Sequence, residues 1–163
     1  MKAAFLVIDM QIGCFQNKGL EPYVDGASEY INAVANIFRD NGQPVIFVQD
    51  LEVDGGVGSS GFEIIPQIEV QESEVRIHKE FANSFWQTNL EELLRAQDVE
   101  FVLISGFAAE YCALFTYNGA KERGFNAAFL QHGVVGLYPE SIQALYRDRP
   151  IVAYSIVDML LKQ

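Results

Sequence analysis

Cys112 is the residue of this 163-residue chain whose type and position best suit nucleophilic chemistry. It follows the run Ile104-Ser105-Gly106 at the start of a segment with helical periodicity. A cysteine in the first turn of a helix lies among unpaired backbone N–H groups at the positive end of the helix dipole, which favours the thiolate. Position alone leaves two roles open: a reactive thiol or, as is more usual for a lone cysteine, a small apolar residue packed in the core.

A carboxylate and an ammonium group follow two apolar runs of the chain. Asp9 comes directly after residues 3–8, and Lys79 comes directly after residues 75–78. If these runs are neighbouring parallel strands, the two side chains meet at one edge of the sheet, where the ammonium keeps the carboxylate ionised. The carboxylate could then take the proton of Cys112, because an activated nucleophile needs an adjacent base. Taken singly, each charged residue is more typical of a strand end in water, and it is the combination with Cys112 that favours a catalytic group.

The elements that position these residues are predicted from the alternation of apolar runs with segments of helical periodicity. Such alternation is typical of buried parallel strands joined by covering helices. We expect an α/β fold with three αβα layers and an open, mostly parallel six-stranded sheet. Reactive groups in such sheets gather at the carboxyl ends of the strands. The predicted strands are 3–8, 44–48, 75–78, 101–105, 125–130 and 151–154.

The segments between the strands predict four helices. The first covers 27–38 and ends at Asn41-Gly42, and the second begins at Thr88, whose spacing to Glu91 is that of a capping box. The third runs from 109–110 to Gly124, and the last begins at Pro139. The glycine-rich stretch 52–61 has little to bury and is expected to be a mobile loop. Without repeats or linkers, residues 1–163 are expected to form a single domain.

The composition excludes several classes of partner. The chain carries 11 Lys and Arg against 22 Asp and Glu, a formal net charge of -11, which disfavours binding to nucleic acid and to anionic membranes. No apolar stretch has the length needed to cross a bilayer, and the first apolar run is too short for a secretory signal. We therefore expect a cytoplasmic protein in which Cys14 and Cys112 are free thiols.

Three stretches of the chain resemble the isochorismatase-like cysteine hydrolases, a family that includes nicotinamidases and N-carbamoylsarcosine amidase. The stretches keep the order and spacing of the family over nearly the whole chain. The resemblance implies the Rossmann-like isochorismatase-like hydrolase fold and a catalytic triad of Asp9, Lys79 and Cys112. The matching residues are Leu6-Val7-Ile8-Asp9-Met10-Gln11 with Phe15, then Lys79 with Asn83-Ser84-Phe85 and Thr88-x-Leu90, and then Gly106-Phe107-Ala108-Ala109-Glu110-Tyr111-Cys112.

The resemblance also implies a cis peptide bond between Phe107 and Ala108. Such a bond would turn the Ala108 N–H toward the same point as the Cys112 N–H, so that the two form a pocket for a developing oxyanion. The alternative for this stretch is a turn of small residues between a strand and a helix.

The chain departs from the family's pattern at two places. Nicotinamidases are similar in carrying a metal site after the second strand, built from an aspartate and histidines, but residues 49–54 contain no histidine here. No metal and no cofactor are therefore expected, although Asp50, Glu52 and Asp54 could in principle hold a hard cation and are otherwise a solvated acidic loop. His132 lies where the family often has an Asp-Ala pair, and it is either a substrate contact or a hydrogen-bonded turn residue.

Four aromatic residues adjoin the motifs and are candidate walls of a pocket for a small, flat substrate. They are Phe15, Phe81, Trp86 and Tyr111, and packing in the core or between subunits is the alternative role for each. Because members of the family assemble as dimers or larger oligomers, the resemblance implies a homodimer or a higher homo-oligomer.

Together these observations predict a metal-independent cysteine hydrolase that acts on an amide-like C–N bond of a small-molecule substrate through a thioester on Cys112. One alternative is a non-catalytic protein of the same fold that binds or senses a small molecule. Another is a redox sensor that joins Cys14 to Cys112, which requires the two sulfur atoms to come within bonding distance.

Overall fold

The computed structural model describes residues 1–162, and its centre is a sheet of six strands. The strands lie in the order β3-β2-β1-β4-β5-β6, and every neighbouring pair is parallel. The α/β fold class is thereby confirmed, with a sheet that is wholly rather than mostly parallel. The strands are β1 (Ala3–Ile8), β2 (Val45–Asp50), β3 (Val75–Lys79), β4 (Phe101–Phe107), β5 (Asn126–Val135) and β6 (Ile151–Val152).

Within the described part of the chain, six helices connect or flank the strands. They are α1 (Ile12–Phe15), α2 (Glu21–Asp40), α3 (Leu90–Ala96), α4 (Cys112–Glu122), α5 (Pro139–Asp148) and α6 (Tyr154–Leu161). The sequence did not predict α1 or α6, and the last predicted strand is two residues too long because Tyr154 begins α6. The capping box is also wrong, since α3 begins at Leu90 with Asn89 at the N-cap, and the Thr88 hydroxyl accepts the Leu90 N–H at 3.3 Å and donates to the Ser84 carbonyl oxygen at 2.6 Å.

Two apolar cores lie on opposite faces of the sheet, which makes the fold three-layered. Successive residues of β1 alternate between them, with Phe5 and Val7 in one and Leu6 and Ile8 in the other. The first core contains the buried residues of α2 and α6, and the second contains those of α3, α4 and α5. Because both faces are covered, every residue of β1 is buried, which explains the unbroken apolar run in the sequence.

The carboxyl ends of β1 and β4 form the crevice of the sheet. The chain order reverses between these neighbouring strands, and ligands of doubly wound sheets bind at such a switch point. The two strands approach closely at Gly106, where φ is +100° and a Cβ atom would lie 2.0 Å from the Ile8 carbonyl oxygen. Only glycine meets both conditions.

Among residues 1–162, no helix is both long enough and apolar enough to cross a membrane.

Candidate active site

Lys79 is the centre of a buried group of charges at the crevice. Its Nζ atom lies 2.9 Å from Asp9 Oδ2 and 2.9 Å from Asp50 Oδ2, and it donates a hydrogen bond to Cys112 Sγ at 3.4 Å. The side chain of Lys79 is fully buried, whereas that of Asp50 is partly open to solvent. The structure thus brings together the three residues of the predicted triad and adds a second carboxylate to them.

The position of β2 explains why Asp50 belongs to this group. The sequence suggested that Asp9 and Lys79 follow neighbouring strands, but β2 lies between β1 and β3. Asp50 is the last residue of β2 and pairs directly with Lys79 across the β2–β3 ladder. The long Lys79 side chain reaches past the end of β2 to Asp9, and this brings its ammonium group against Asp50 as well.

Gln11 fixes the backbone of Asp50. The fully buried Gln11 side chain accepts a hydrogen bond from the Asp50 N–H at 2.8 Å and donates to the Asp50 carbonyl oxygen at 3.1 Å. It also donates to the carbonyl oxygen of Phe62 at 3.0 Å. Asp50 was expected to lie in a solvated acidic loop, and instead its backbone and its carboxylate are both held in place.

Burial and neighbouring charges decide where the protons reside in the group. Burial raises the pKa of Asp9 to about 6, although the ammonium group of Lys79 opposes the shift. Burial would by itself lower the pKa of Lys79. The charge interactions with Asp9 and Cys112 and the hydrogen bonds to Asp9 and Asp50 outweigh that effect, so the pKa of Lys79 lies above its ordinary value. At neutral pH the group therefore contains a carboxylate at Asp9 and an ammonium ion at Lys79.

Cys112 is a thiol in this resting state. Burial and the negative charge of Asp9 raise its pKa to about 12, while Lys79 acts in the opposite direction. The helix N-terminus suggested a thiolate, but a sulfur atom that faces a carboxylate in a buried site keeps its proton. Ligand atoms of Asp9 and Cys112 lie within 4.8 Å of each other, and Asp9 Oδ1 has no hydrogen-bond partner among the described residues. The carboxylate is thus placed to receive the sulfur proton.

The turn between β4 and α4 presents backbone N–H groups beside the sulfur atom. Cys112 is the first residue of α4. The peptide bond between Phe107, the last residue of β4, and Ala108 is cis. The N–H groups of Ala109, Tyr111 and Ala113 donate to backbone carbonyl oxygens. Within residues 1–162, those of Ala108 and Cys112 have no such acceptor. These two groups are therefore available to an oxyanion.

The same group could be considered as a metal site, since Asp9, Asp50 and Cys112 each offer a ligand atom within 4.8 Å of the others. The Lys79 ammonium group lies 2.9 Å from both carboxylates and would repel a cation there. The site also has no neutral imidazole ligand, because His78 is an exposed residue that packs against Phe62 and His132 lies beside Tyr30 and Tyr146. These residues fit proton transfer better than a resident metal.

The four predicted wall residues occupy two different environments. Phe15 is buried and packs edge-on against the ring of Phe107, with 5.0 Å between ring centroids, behind the turn that bears Cys112. Phe81, Trp86 and Tyr111 are each about half exposed near the two motifs. Their contact with substrate stays a prediction, whereas Phe15 is part of the core on the α2 face.

Comparison with known proteins identifies the family. The family model of the isochorismatase domain matches residues 3–149. The chain belongs to the isochorismatase family. An uncharacterized isochorismatase family protein of Bacillus subtilis, YddQ, is 30% identical over 132 residues, covering 77% of this chain and 73% of the relative.

Solved structures show that this isochorismatase-family chain has the fold its sequence suggested. N-carbamoylsarcosine amidase from Thermoplasma acidophilum superposes with a TM-score of 0.81 at 24% identity, covering 94% of this chain and 95% of that one. A cysteine hydrolase from Pseudomonas syringae superposes with a TM-score of 0.86 at 18% identity, covering 99% of this chain and 92% of that one. The predicted family is confirmed, and family membership supports hydrolase chemistry.

Proposed function

We propose that this protein hydrolyses a C–N bond of a small carboxamide-like substrate, with Cys112 as nucleophile and without a metal ion. The observation that carries the proposal is that Lys79 Nζ contacts both Asp9 Oδ2 and Cys112 Sγ, at 2.9 and 3.4 Å. A base, a cation that orients it and a nucleophile lie within reach of one another, which is the arrangement that covalent catalysis needs.

In the first half of the reaction, Asp9 takes the proton of the Cys112 thiol as the sulfur attacks the substrate carbonyl carbon. The C–S bond forms, and the carbonyl electron pair moves to oxygen, which accepts hydrogen bonds from the N–H groups of Ala108 and Cys112. When the tetrahedral intermediate collapses, the C–N bond breaks. The Asp9 carboxyl group returns the proton to the departing nitrogen, and an acyl thioester remains on the sulfur.

In the second half, Asp9 takes a proton from water as the water oxygen attacks the thioester carbonyl. The C–S bond breaks, the proton returns to the sulfur of Cys112, and the carboxylic acid product leaves. Lys79 stays protonated throughout and keeps the negative charge of Asp9 oriented. Burial raises the pKa of Asp9 to about 6, which suits a group that alternates between base and acid near neutral pH.

Acyl transfer is favoured over other hydrolyses because the site contains a sulfur nucleophile with its own base. The family resemblance implies that members which cleave vinyl ethers need not use a cysteine. A further support is that the similar structure from Thermoplasma acidophilum is named an amidase.

The test is a panel of small amides, imides and ureas assayed for ammonia release. We expect Cys112→Ala to abolish release of ammonia from a substrate of the wild-type protein, because no sulfur remains to form the thioester. Cys14→Ala is the matched control, since Cys14 is the other free cysteine and contacts none of the three proposed catalytic side chains through a hydrogen bond.

Undiminished ammonia release by a folded Cys112→Ala protein would reject the proposal. Trapping a covalent acyl adduct of the expected mass on the peptide that contains Cys112 would support it. Circular dichroism on each variant separates loss of chemistry from loss of fold.

A further inference from the structure

The carboxyl half of β5 has an open edge next to a cavity that the proposed hydrolysis does not use. β6 pairs only with Phe129 and Leu130, so within the described chain no strand covers that edge from Gln131 to Val135. A cavity of about 660 Å³ lies there between the first half of α2 and α5. This volume is within the range of small-molecule sites. Neither Asp9, Lys79 nor Cys112 lines it.

An irregularity in β5 builds the floor of this cavity. Between Ile104 and Gly106 the partner residue on β5 moves from Phe129 to Val134, so β5 contains a bulge of several extra residues. His132 lies at the bulge with φ of +63°, a conformation that is unfavourable for a residue with a Cβ atom. Its N–H donates to Tyr146 Oη at 2.6 Å, and this bond holds the strained residue in place.

Aromatic rings form the walls around His132. Its imidazole lies 5.0 Å from the ring of Tyr30 and 6.4 Å from that of Tyr146, measured between centroids. Tyr23 and Tyr138 also line the cavity and are 61% and 62% exposed, so their rings stand at its mouth. Planar rings with polar edges suit a planar aromatic ligand, which can stack against them.

The absence of charged side chains in the described lining of the cavity favours an uncharged ligand. None of the described residues that line the cavity is Lys, Arg, Asp or Glu, and the chain as a whole carries a net charge of -11. An anion would find no counter-charge in the cavity and would be repelled by the rest of the protein. The imidazole of His132 and the amide of Gln143 supply hydrogen-bonding groups instead.

We propose that this cavity is a second binding site, for a neutral, planar aromatic molecule that carries a hydroxyl or carbonyl group. The site is separate from Cys112 and does not depend on the proposed hydrolysis. Two hydrogen bonds nevertheless connect the cavity to the turn between β4 and α4. The Ala109 N–H donates to the Val135 carbonyl oxygen at 2.9 Å, and the Leu137 N–H donates to Glu110 Oε1 at 2.8 Å.

The experiment uses 2-naphthol as probe and the full-length protein, with binding measured by isothermal titration calorimetry. We expect one site per chain, with chemical-shift changes at the backbone amides of Val134 and Val135 in labelled protein. The anion 2-naphthoate is the matched probe, and it should bind at least about tenfold more weakly because the cavity offers no counter-charge.

Gly26→Leu tests the location of the site. Gly26 lines the cavity from α2, and a Cβ atom there would meet nothing within 4 Å, so a larger side chain can extend from this position, and leucine also favours the helix. It should weaken 2-naphthol at least about tenfold by occupying the volume of the ligand. Glu29→Leu places the same side chain at an exposed position of α2 outside the lining and should leave binding unchanged.

Two results would overturn the proposal. One is that wild type and Gly26→Leu bind 2-naphthol equally or not at all. The other is that sedimentation velocity shows a wild-type dimer which Gly26→Leu separates into monomers, since the cavity would then belong to an interface between two copies of this chain.

Discussion

Replacing Asp50 by asparagine tests whether the second carboxylate takes part in proton handling. Asp9 and Asp50 share the ammonium group of Lys79, which lies 2.9 Å from each. The negative charge of Asp50 also raises the pKa of Asp9. Its removal leaves the charge of Lys79 to Asp9 alone, and the pKa of Asp9 should therefore fall.

The size of the change can be worked out from the geometry. The facing oxygens of Asp9 and Asp50 lie within 4.8 Å of each other. At an effective dielectric constant of about 20, two unit charges at that distance repel by about 3.5 kcal/mol, which corresponds to about 2.5 in pKa. Because the Asp50 side chain is 21% exposed, solvent screens part of this repulsion. We expect the pKa of Asp9 to fall by about 1 in Asp50→Asn.

The direct assay is a carbon-13 NMR titration of protein labelled at the aspartate carboxyl carbons. The signal of Asp9 is the one that Asp9→Asn removes, and its midpoint should move from about 6 in wild type to a lower pH in Asp50→Asn. Glu52→Gln is the matched control, because it removes the same charge from an exposed side chain two residues along the chain. An unchanged midpoint in Asp50→Asn, or an equal change in Glu52→Gln, would refute the coupling.

Three further outcomes follow from the same geometry. Since Asp9 must be ionised to take the sulfur proton, kcat/KM should rise with pH through about 6, and a pH–rate profile that is flat between about pH 5 and 7 would contradict this. Lys79→Met leaves the Asp9 carboxylate buried without its main cation, so urea denaturation should show a loss of about 3–5 kcal/mol, and an equally stable variant would count against the ion pair. Gly106→Ala places a methyl group 2.0 Å from the Ile8 carbonyl oxygen and should cost more than about 2 kcal/mol or prevent folding, so an unchanged Tm would disprove the close approach.

The strands were predictable because their residues are buried on both faces. The predicted bounds of β1 are those observed, and the starts of β3 and β4 agree as well. The order of strands was not predictable from one sequence, since each apolar run fits any central position. For this reason the role of Asp50 was missed, because it depends on β2 lying between the strands that end at Asp9 and Lys79.

The protonation state of the Cys112 sulfur could not be predicted from the sequence either. The start of a helix at Cys112 was nearly located, but its effect on the thiol competes with burial and with the charge of Asp9, whose sizes depend on distances. The same limit applies to the cavity beside β5. It arises from a bulge and from a positive φ at His132, and although Gly133 is a turn signal, a single sequence does not show how far the strand register shifts there. The only hint was the unusual Gln131-His132-Gly133 segment after the fifth apolar run.

The hydrogen bonds of Gln11 have a practical meaning for redesign. One amide group fastens both ends of the glycine-rich segment, since it holds Asp50 on one side and Phe62 on the other. Lengthening a chain between two tethered points costs little free energy. We therefore expect that residues 55–59 can be exchanged for the corresponding loop of a relative while the Asp50 carboxylate keeps its contact with the Lys79 ammonium group. The length of this loop and the catalytic group could then be varied independently.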